Sequence, residues 1–412
     1  MKGNLVNIGV VGLGKLGLPL AVTFAKFGFQ VVGLDINESH INKLNMGQLV
    51  TNEPNLIKLF VQNRDHLSFT SDYVSLAGVD IVYVIVPTPS DTEGNFSNTY
   101  IIDALKSVID GHKYCPESLD IVIVSTVMPG TCNKIFSPLL RTMELEKGWR
   151  EGTIKLIYSP EFIALGSVLE NLQNPDMLLV GAELEEHCKN HLAVQRTVTN
   201  TNEIRILKFQ EAEMVKLLVN CFVTMKISFA NLIGEICDKN GNARGEIVAE
   251  ALGLDSRIGR KYLKPGLGFG GPCFPRDNEA LIAFCAQLGI SHDLSIATIS
   301  VNQRQPQILA KKIIDQLDNK KSIRVHGVSY KVGSDNYERS QMLEVVNILA
   351  KSDIQVEVSD PLISYRPKNL DSRANWIKKP FKKIKTDLLV THQKLLDDLA
   401  MLEPKNVLIL EH

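Results

Sequence analysis

Along the first half of the chain, short runs of apolar, often β-branched residues alternate with stretches whose apolar positions fall at helical spacing. VNIGVVG (residues 6–12) is nearly all apolar, as expected of a strand buried on both faces. KLGLPLAVTFAKFG (15–28) has helical spacing and stops at Gly28. QVVGLD (30–35) reads as the next strand. DIVYVIVPTP (80–89) and LDIVIVSTVMPG (119–130) are further buried strands, each running out into polar loop residues. TIKLIYSPEF (153–162) and DMLLVGA (176–182) continue the series. Repeated βα units of this kind predict a doubly wound sheet whose loops gather at the carboxyl ends of the strands.

The texture changes near residue 210. EAEMVKLLVNCFVTMKISFANLIGEICDKNG (211–241) is one long, apolar-rich helix ending at Asn240-Gly241, a helix stop. More helices follow, with the loop GFGGPCFPRD embedded among them. A second βα texture begins near 322, with SIRVHGVSY, a helix over 338–351, IQVEVSD (354–360), DLLVT (387–391) and NVLIL (406–410). The segment 361–386, rich in Pro, Lys and Arg, reads as loop. The predicted fold class is α/β: two Rossmann-like doubly wound domains, 1–205 and 318–412, joined by a helical central domain, 206–305.

Composition narrows the partners. Of 412 residues, 44% are hydrophobic and 22% charged, with a formal net charge of −1. That balance gives no global field toward nucleic acid or an anionic membrane. The basic stretches at Lys378-Lys379 and Lys382-Lys383 read as solvated surface. The seven cysteines are dispersed and form no C-x-x-C pair, so no zinc or redox motif is indicated, and an odd, scattered set suits a reducing cytoplasm. The apolar run near the N-terminus carries Gly12, Gly14 and Lys15 and reads as strand and turn, not as a signal peptide.

Gly12-Leu13-Gly14-Lys15-Leu16-Gly17 is G-x-G-x-x-G between a strand and a helix, with Asp35 closing the next strand. Such glycines let the backbone turn and approach a pyrophosphate at a helix N-terminus, and the aspartate accepts hydrogen bonds from ribose hydroxyls, which favours NAD over NADP. Thr88 and Pro89 in VPTP, and Thr126 in STV, stand at strand ends where such a sheet binds its ligand; capping of the next helix is the alternative for the hydroxyls. Glu161 in YSPEF follows another strand, as a catalytic acid or a surface carboxylate. Glu213, Lys216 and Asn220 share one face of the long helix, either solvated or lining a cleft. Cys273 stands in a glycine-rich loop beside Arg276 and Asp277, whose charges can tune a thiolate. A small buried thiol is the alternative.

In GVVGLGKLGLPLA, VPTP, STV, SPEF, EMVKLLVNCF, DSRIGRKYLKPGLGFGGPCFPRD and GVSYKVGSD, taken in this order, the chain resembles the nucleotide-sugar dehydrogenases typified by UDP-glucose 6-dehydrogenase. The resemblance covers nearly the whole chain. It implies oxidation of a sugar C6 alcohol to a carboxylate with two NAD+ and one water, through a thiohemiacetal and a thioester on Cys273. It further implies that Lys216 and Asn220 stabilise oxyanions, that Asp277 and Thr126 hold or polarise a water, and that Glu161 is the base for thioester hydrolysis. Phe162, Tyr262, Lys264, Gly266, Gly270 and Lys331 would bind the UDP-sugar. Arg276, where the family usually has lysine, would lie near the cofactor. Arg257 would reach into a neighbouring subunit's site, which implies a homodimer, here through the long helix.

The chain departs from the family pattern at several places. His40 stands for a lysine, Leu165 for an acidic residue, and Asn231-Leu232 for Asn-Glu. Glu338-Arg339-Ser340 exchanges the two charges of an Arg-Glu-Ser pattern, so Arg339 is expected to point elsewhere. VTHQ (390–393) and the terminal LILEH also differ. UDP-glucose is the favoured substrate. A UDP-N-acetylhexosamine or GDP-mannose would need only small pocket changes, since such discrimination rests on one or two hydrogen bonds. A catalytically silent NAD- or nucleotide-sugar-binding paralogue is the reading from another class, against which stand Cys273, Lys216, Asn220, Asp277 and Glu161 together. A two-electron hydroxyacid dehydrogenase would need neither Cys273 nor a second α/β domain.

Overall fold

In β1 (Ile8–Val11) successive side chains point to opposite faces, and both faces are buried. Val10 joins one apolar cluster, with Phe24, Tyr83, Val122 and Val180; Val11 joins another, with Val84, Ile123, Phe136 and Phe209. That double burial is why these strands read as continuous apolar runs. The computed structural model describes residues 6–317, 322–377, 388–392 and 407–410. Lys378-Lys379, Lys382-Lys383, Gln393 and the terminal Glu411-His412 lie outside them. The chain forms two compact units, Met1–Leu217 and Leu218–His412.

The first unit is built on eight strands. After β1 come β2 (Val31–Leu34), β3 (Leu67–Thr70), β4 (Ile81–Val84), β5 (Leu119–Ile123), β6 (Ile154–Tyr158), β7 (Leu178–Ala182) and β8 (Ile204–Leu207). Their order across the sheet is β3-β2-β1-β4-β5-β6-β7-β8. The order reverses between β1 and β4, so the crevice at their carboxyl ends is where such a sheet takes a ligand. The helix Gly17–Lys26 packs Leu20 and Phe24 onto one face. The Rossmann-like reading holds, with one difference: β6 and β7 pair antiparallel, Tyr158 opposite Gly181. Their connection contains only the helix Val168–Gln173. β3 and β8 escape a sequence reading because each is four residues long and mixes polar with apolar positions.

The long helix Phe209–Asn240 begins in the first unit and ends in the second, at Gly241 with φ +77°. The second unit also contains helices Gly245–Leu252, Phe274–Gln287 and Asp293–Leu317. Its sheet is parallel, in the order β11-β10-β9-β12-β13, from β9 (Ser322–His326), β10 (Gln355–Ser359), β11 (Asn375–Trp376), β12 (Leu388–Thr391) and β13 (Val407–Ile409). Its core gathers Ile313, Val325, Val345, Val358 and Val390. The helix expected over 338–351 spans Gln341–Ala350, because the Ser340 hydroxyl accepts from Leu343 N–H and caps it there.

Candidate active site

At the end of β1 the three glycines have three different reasons. Gly12 has φ +92°, and a Cβ there would meet the Ile85 carbonyl. A Cβ on Gly17 would collide with the Gly12 carbonyl oxygen, so this glycine lets the helix start against the turn. A Cβ on Gly14 would meet nothing within 4 Å; the backbone there is open to a ligand. Leu13 N–H donates to Asp35 Oδ2 (2.9 Å) and Asn37 N–H to Asp35 Oδ1 (2.9 Å). Each carboxylate oxygen keeps a further lone pair, so ribose hydroxyls remain within Asp35's capacity. His40 Nε2 lies 3.1 Å from the Leu13 carbonyl oxygen and ties the first turn of the helix Glu38–Asn45 to the glycine turn. This site fits a dinucleotide: an open helix N-terminus beside a ribose-accepting carboxylate.

The loops after β4 and β5 face the same crevice. Thr88 is buried and Pro89 exposed, with the Pro89 carbonyl accepting from Ser97 N–H (2.8 Å). Thr126 is half-buried. Its neighbour Ser125 went unnoticed in the sequence: its hydroxyl accepts from Val86 N–H (3.0 Å) and donates to the Val86 carbonyl (2.7 Å), lashing the two loops together.

Beyond β6, the Lys216 ammonium donates to the Glu161 carbonyl oxygen (2.7 Å) and sits 4.7 Å from the centroid of the Phe162 ring. Burial pushes the Glu161 carboxyl up to about 7, partly offset by the Lys216 charge. The structure thus brings together three predicted residues, Glu161, Phe162 and Lys216. Glu213, one turn earlier on the long helix, does not face solvent or a cleft. It is fully buried, and its carboxylate accepts from Gly130 N–H (2.5 Å) and Cys132 N–H (2.8 Å).

In the second unit Cys273 is exposed and is the N-cap residue of the helix Phe274–Gln287. The positive end of a helix favours an anion there. One turn on, Asp277 is buried; Asn220 Nδ2 donates to its Oδ2 at 2.6 Å, and Arg276 Nε lies 3.6 Å from its Oδ1. Asn220, Asp277 and Arg276 therefore form one polar group beside the cysteine.

The loop leading to Cys273 is held by side chains. Gly266 N–H donates to Asn231 Oδ1 (2.8 Å), and the Gly266 carbonyl accepts from Gln305 Nε2 (2.6 Å). Asn302 takes Phe269 N–H (2.7 Å) and returns a hydrogen bond to the Phe269 carbonyl (3.0 Å). Asn302 and Gln305 were missed in the sequence; the available signal was two polar residues on the buried face of an amphipathic helix. Gly270 and Gly271 are glycines because the turn carrying Glu338 and Arg339 packs onto them: a Cβ on Gly270 would meet the Arg339 carbonyl, and one on Gly271 (φ +79°) the Tyr330 ring. Gly271 N–H donates to the Glu338 carbonyl (3.0 Å). Tyr330, another unpredicted neighbour, has its hydroxyl pushed up to about 12 by burial and by negative charge at Cys273 and Glu338.

Tyr262 is exposed with φ +63°, a backbone strain of the kind that persists at functional sites. Lys264 and Gly266 line a cavity of about 780 Å³ together with Arg260, Asn231 and Gln305. Lys331 is half-buried on the Tyr330 turn. Arg257 is exposed and paired with Asp255 (2.6 Å). Arg339, expected to point away, has φ +49° and forms a two-point ion pair with Glu279 on the cysteine's own helix (2.7 and 3.3 Å). Among the described residues no cluster of His, Cys, Asp and Glu could hold a metal ion.

Sequence profiles of the UDP-glucose/GDP-mannose dehydrogenase family match this chain: its NAD binding domain over residues 6–199 and its central domain over residues 210–304. The UDP-glucose 6-dehydrogenase AglM of Haloferax volcanii is 31% identical over 363 residues, 87% of this chain and 84% of that protein. A solved UDP-glucose dehydrogenase from Pyrobaculum islandicum superposes with a TM-score of 0.82 at 30% identity, covering 95% of this chain and 90% of that one. The UDP-D-ManNAc dehydrogenase of Pyrococcus horikoshii shares the fold, with a TM-score of 0.76 at 24% identity over 99% of this chain and 96% of that one.

Proposed function

The chain belongs to the UDP-glucose/GDP-mannose dehydrogenase family and is an NAD-dependent nucleotide-sugar dehydrogenase; from that premise we propose that it oxidises the C6 alcohol of UDP-glucose to the carboxylate through a covalent intermediate on Cys273. The observation that carries this reading is the setting of Cys273: an exposed thiol at a helix N-terminus, on a loop pinned by Asn231, Asn302 and Gln305. An alcohol oxidised once gives an aldehyde, whose hydrate resists a second oxidation. Addition of the Cys273 thiolate forms a C–S bond and a thiohemiacetal, whose oxidation gives a thioester. Water then attacks the acyl carbon, the C–S bond breaks, and carboxylate and thiolate separate. NAD+ bound at the Gly12–Gly17 turn supplies the hydride acceptor for both oxidations.

Lys216 and Asn220 supply the cationic and amide donors for the oxyanions, and Asp277 with Thr126 holds the water that carries protons. Glu161 is the base for thioester hydrolysis; a carboxyl near 7 is divided between acid and base at neutral pH, as that task needs. Arg276 serves the cofactor side. Phe162, Tyr262, Lys264, Gly266, Gly270 and Lys331 bind the nucleotide sugar.

The enzyme works as a homodimer. Leu218, Phe222, Met225, Phe229, Leu232 and Ile236 alternate at spacings of four and three along the long helix, and all but the half-buried Met225 are exposed. That is a heptad seam suited to a second copy of the same helix. By length and composition this helix, of those described, could also cross a membrane; the dimer reading accounts for its apolar side without one. Sedimentation of the wild type and of Phe222→Asp/Phe229→Asp tests it: a dimer reduced to monomer is expected, and a wild-type monomer overturns it.

The central test counts NADH per sugar consumed, with UDP-glucose, UDP-N-acetylglucosamine, UDP-N-acetylmannosamine and GDP-mannose, beside Cys273→Ser. Two NADH per UDP-glucose, and loss of the acyl-enzyme in the mutant, are expected. One NADH per sugar removes the thioester role of Cys273. Turnover of another donor alone replaces UDP-glucose, and binding of NAD+ without turnover of any donor favours the silent paralogue.

A further inference from the structure

The loop from Glu161 to Ser167 has no regular secondary structure, yet it presents Glu161 and Phe162. Two charged side chains hold it. At its front, Lys216 takes the Glu161 carbonyl. At its rear stands Glu53, more than a hundred residues away in sequence. Glu53 Oε2 accepts from Gly166 N–H (3.1 Å), and Oε1 accepts from Leu169 N–H (3.1 Å) in the first turn of the helix Val168–Gln173. Ser167 makes no side-chain cap there, so Glu53 does that work from outside. Glu53 is itself set by its own turn, with Glu53 N–H donating to Thr51 Oγ1 (3.0 Å).

We propose that Glu53 is a positioning residue for Glu161, acting through the backbone of the 161–167 loop. This rests on the role given above to Glu161 as base for thioester hydrolysis. A carboxylate is acceptor-only, with two oxygens, and it meets two donors here. Glutamine can satisfy one and turns an amide NH2 toward the other. Alanine satisfies neither, so the effects rank Glu53→Ala above Glu53→Gln.

A slack loop lets water reach the Glu161 carboxyl. Lys216 and Tyr83 are the titratable groups facing it; burial and the Glu161 charge raise the Tyr83 hydroxyl. With hydration the carboxyl falls back toward the ordinary glutamate range. The acid limb of kcat, where the base must be ionised, then moves to lower pH although hydrolysis is slower. Mere loss of folded protein would scale the profile without moving it.

The experiment uses the full chain with UDP-glucose and NAD+, acid-quenched during turnover, with intact mass read for an adduct on Cys273. Glu161→Gln is the control. In Glu53→Ala the adduct accumulates, kcat falls about tenfold to a hundredfold, KM for NAD+ is unchanged, and the acid limb shifts down; Glu53→Gln is intermediate. Thermal unfolding is recorded for each variant, and Glu53→Gln carries the test where alanine does not fold. Adduct in Glu161→Gln but a wild-type profile in both Glu53 variants overturns the positioning role alone. No adduct in Glu161→Gln removes the hydrolysis role of Glu161, and this inference with it.

Discussion

Removing the Glu213 side chain tests whether the long helix anchors the loop after β5. Glu213→Ala leaves Gly130 N–H and Cys132 N–H without the buried carboxylate they donate to. A hydrogen bond to a charged acceptor contributes about 1.5–3 kcal/mol, and an orphaned buried donor costs about 1–3 kcal/mol. Against this stands the cost of keeping a carboxylate buried; burial raises the Glu213 carboxyl above its ordinary value despite the bonds it accepts. Two orphaned donors cost about 2–6 kcal/mol between them, and relief of the buried carboxylate leaves a net loss of about 3–5 kcal/mol. At about 2–4 °C per kcal/mol for a unit of this size, the melting temperature falls by about 6–20 °C. Glu213→Gln keeps one acceptor and loses about half as much. The sign with pH follows from the raised carboxyl: the folded state binds the proton more tightly, so the wild type loses stability as pH rises through the folded value. The deficit of Glu213→Gln is therefore largest at acid pH. Calorimetry of the three proteins at two pH values measures this. A fall of less than about 2 °C in the alanine variant would refute the anchoring argument.

The two glycines of the nucleotide turn separate packing from binding. Gly17→Ala costs about 1–3 kcal/mol through its collision with the Gly12 carbonyl, whereas Gly14→Ala leaves the melting temperature of the apo protein unchanged and weakens only the stabilisation by NAD+; equal effects in thermal scans would contradict the assignment. Lys216→Met removes the charge that offsets burial at Glu161, so the acid limb of residual thioester hydrolysis moves above about 7; single-turnover pH profiles read this, and a downward shift counts against it. The Arg339–Glu279 pair is half-exposed on both sides, so breaking it costs no more than about 1 kcal/mol, and Arg339→Glu with Glu279→Arg restores it. A double-mutant cycle in urea giving a coupling above about 2 kcal/mol would disprove a surface-pair value.

What could be read in advance was local. The glycine turn and Asp35 were legible because a strand buried on both faces is apolar throughout and a turn against a helix start needs glycine at set positions. The cysteine loop was legible because its glycines, cysteine and acid are neighbours in the chain. What stayed hidden depends on contacts between distant residues. Glu213 reads as a helix-face carboxylate until the loop at Gly130 folds onto it. Glu53 reads as a turn residue until Gly166 arrives 113 residues later. Arg339 was expected to point away, and its partner Glu279 is fixed only by the packing of the 338–340 turn onto Gly270. The antiparallel pairing of Tyr158 with Gly181 likewise joins strands far apart in the chain and shows in neither strand's own pattern. By itself the sequence determined the long apolar strands and the glycine turns, since propensity and hydrophobic period act over a few residues. Only the tertiary structure decided which backbone amides Glu213 and Glu53 hold, because a buried donor takes whichever acceptor the packed chain brings within hydrogen-bonding distance.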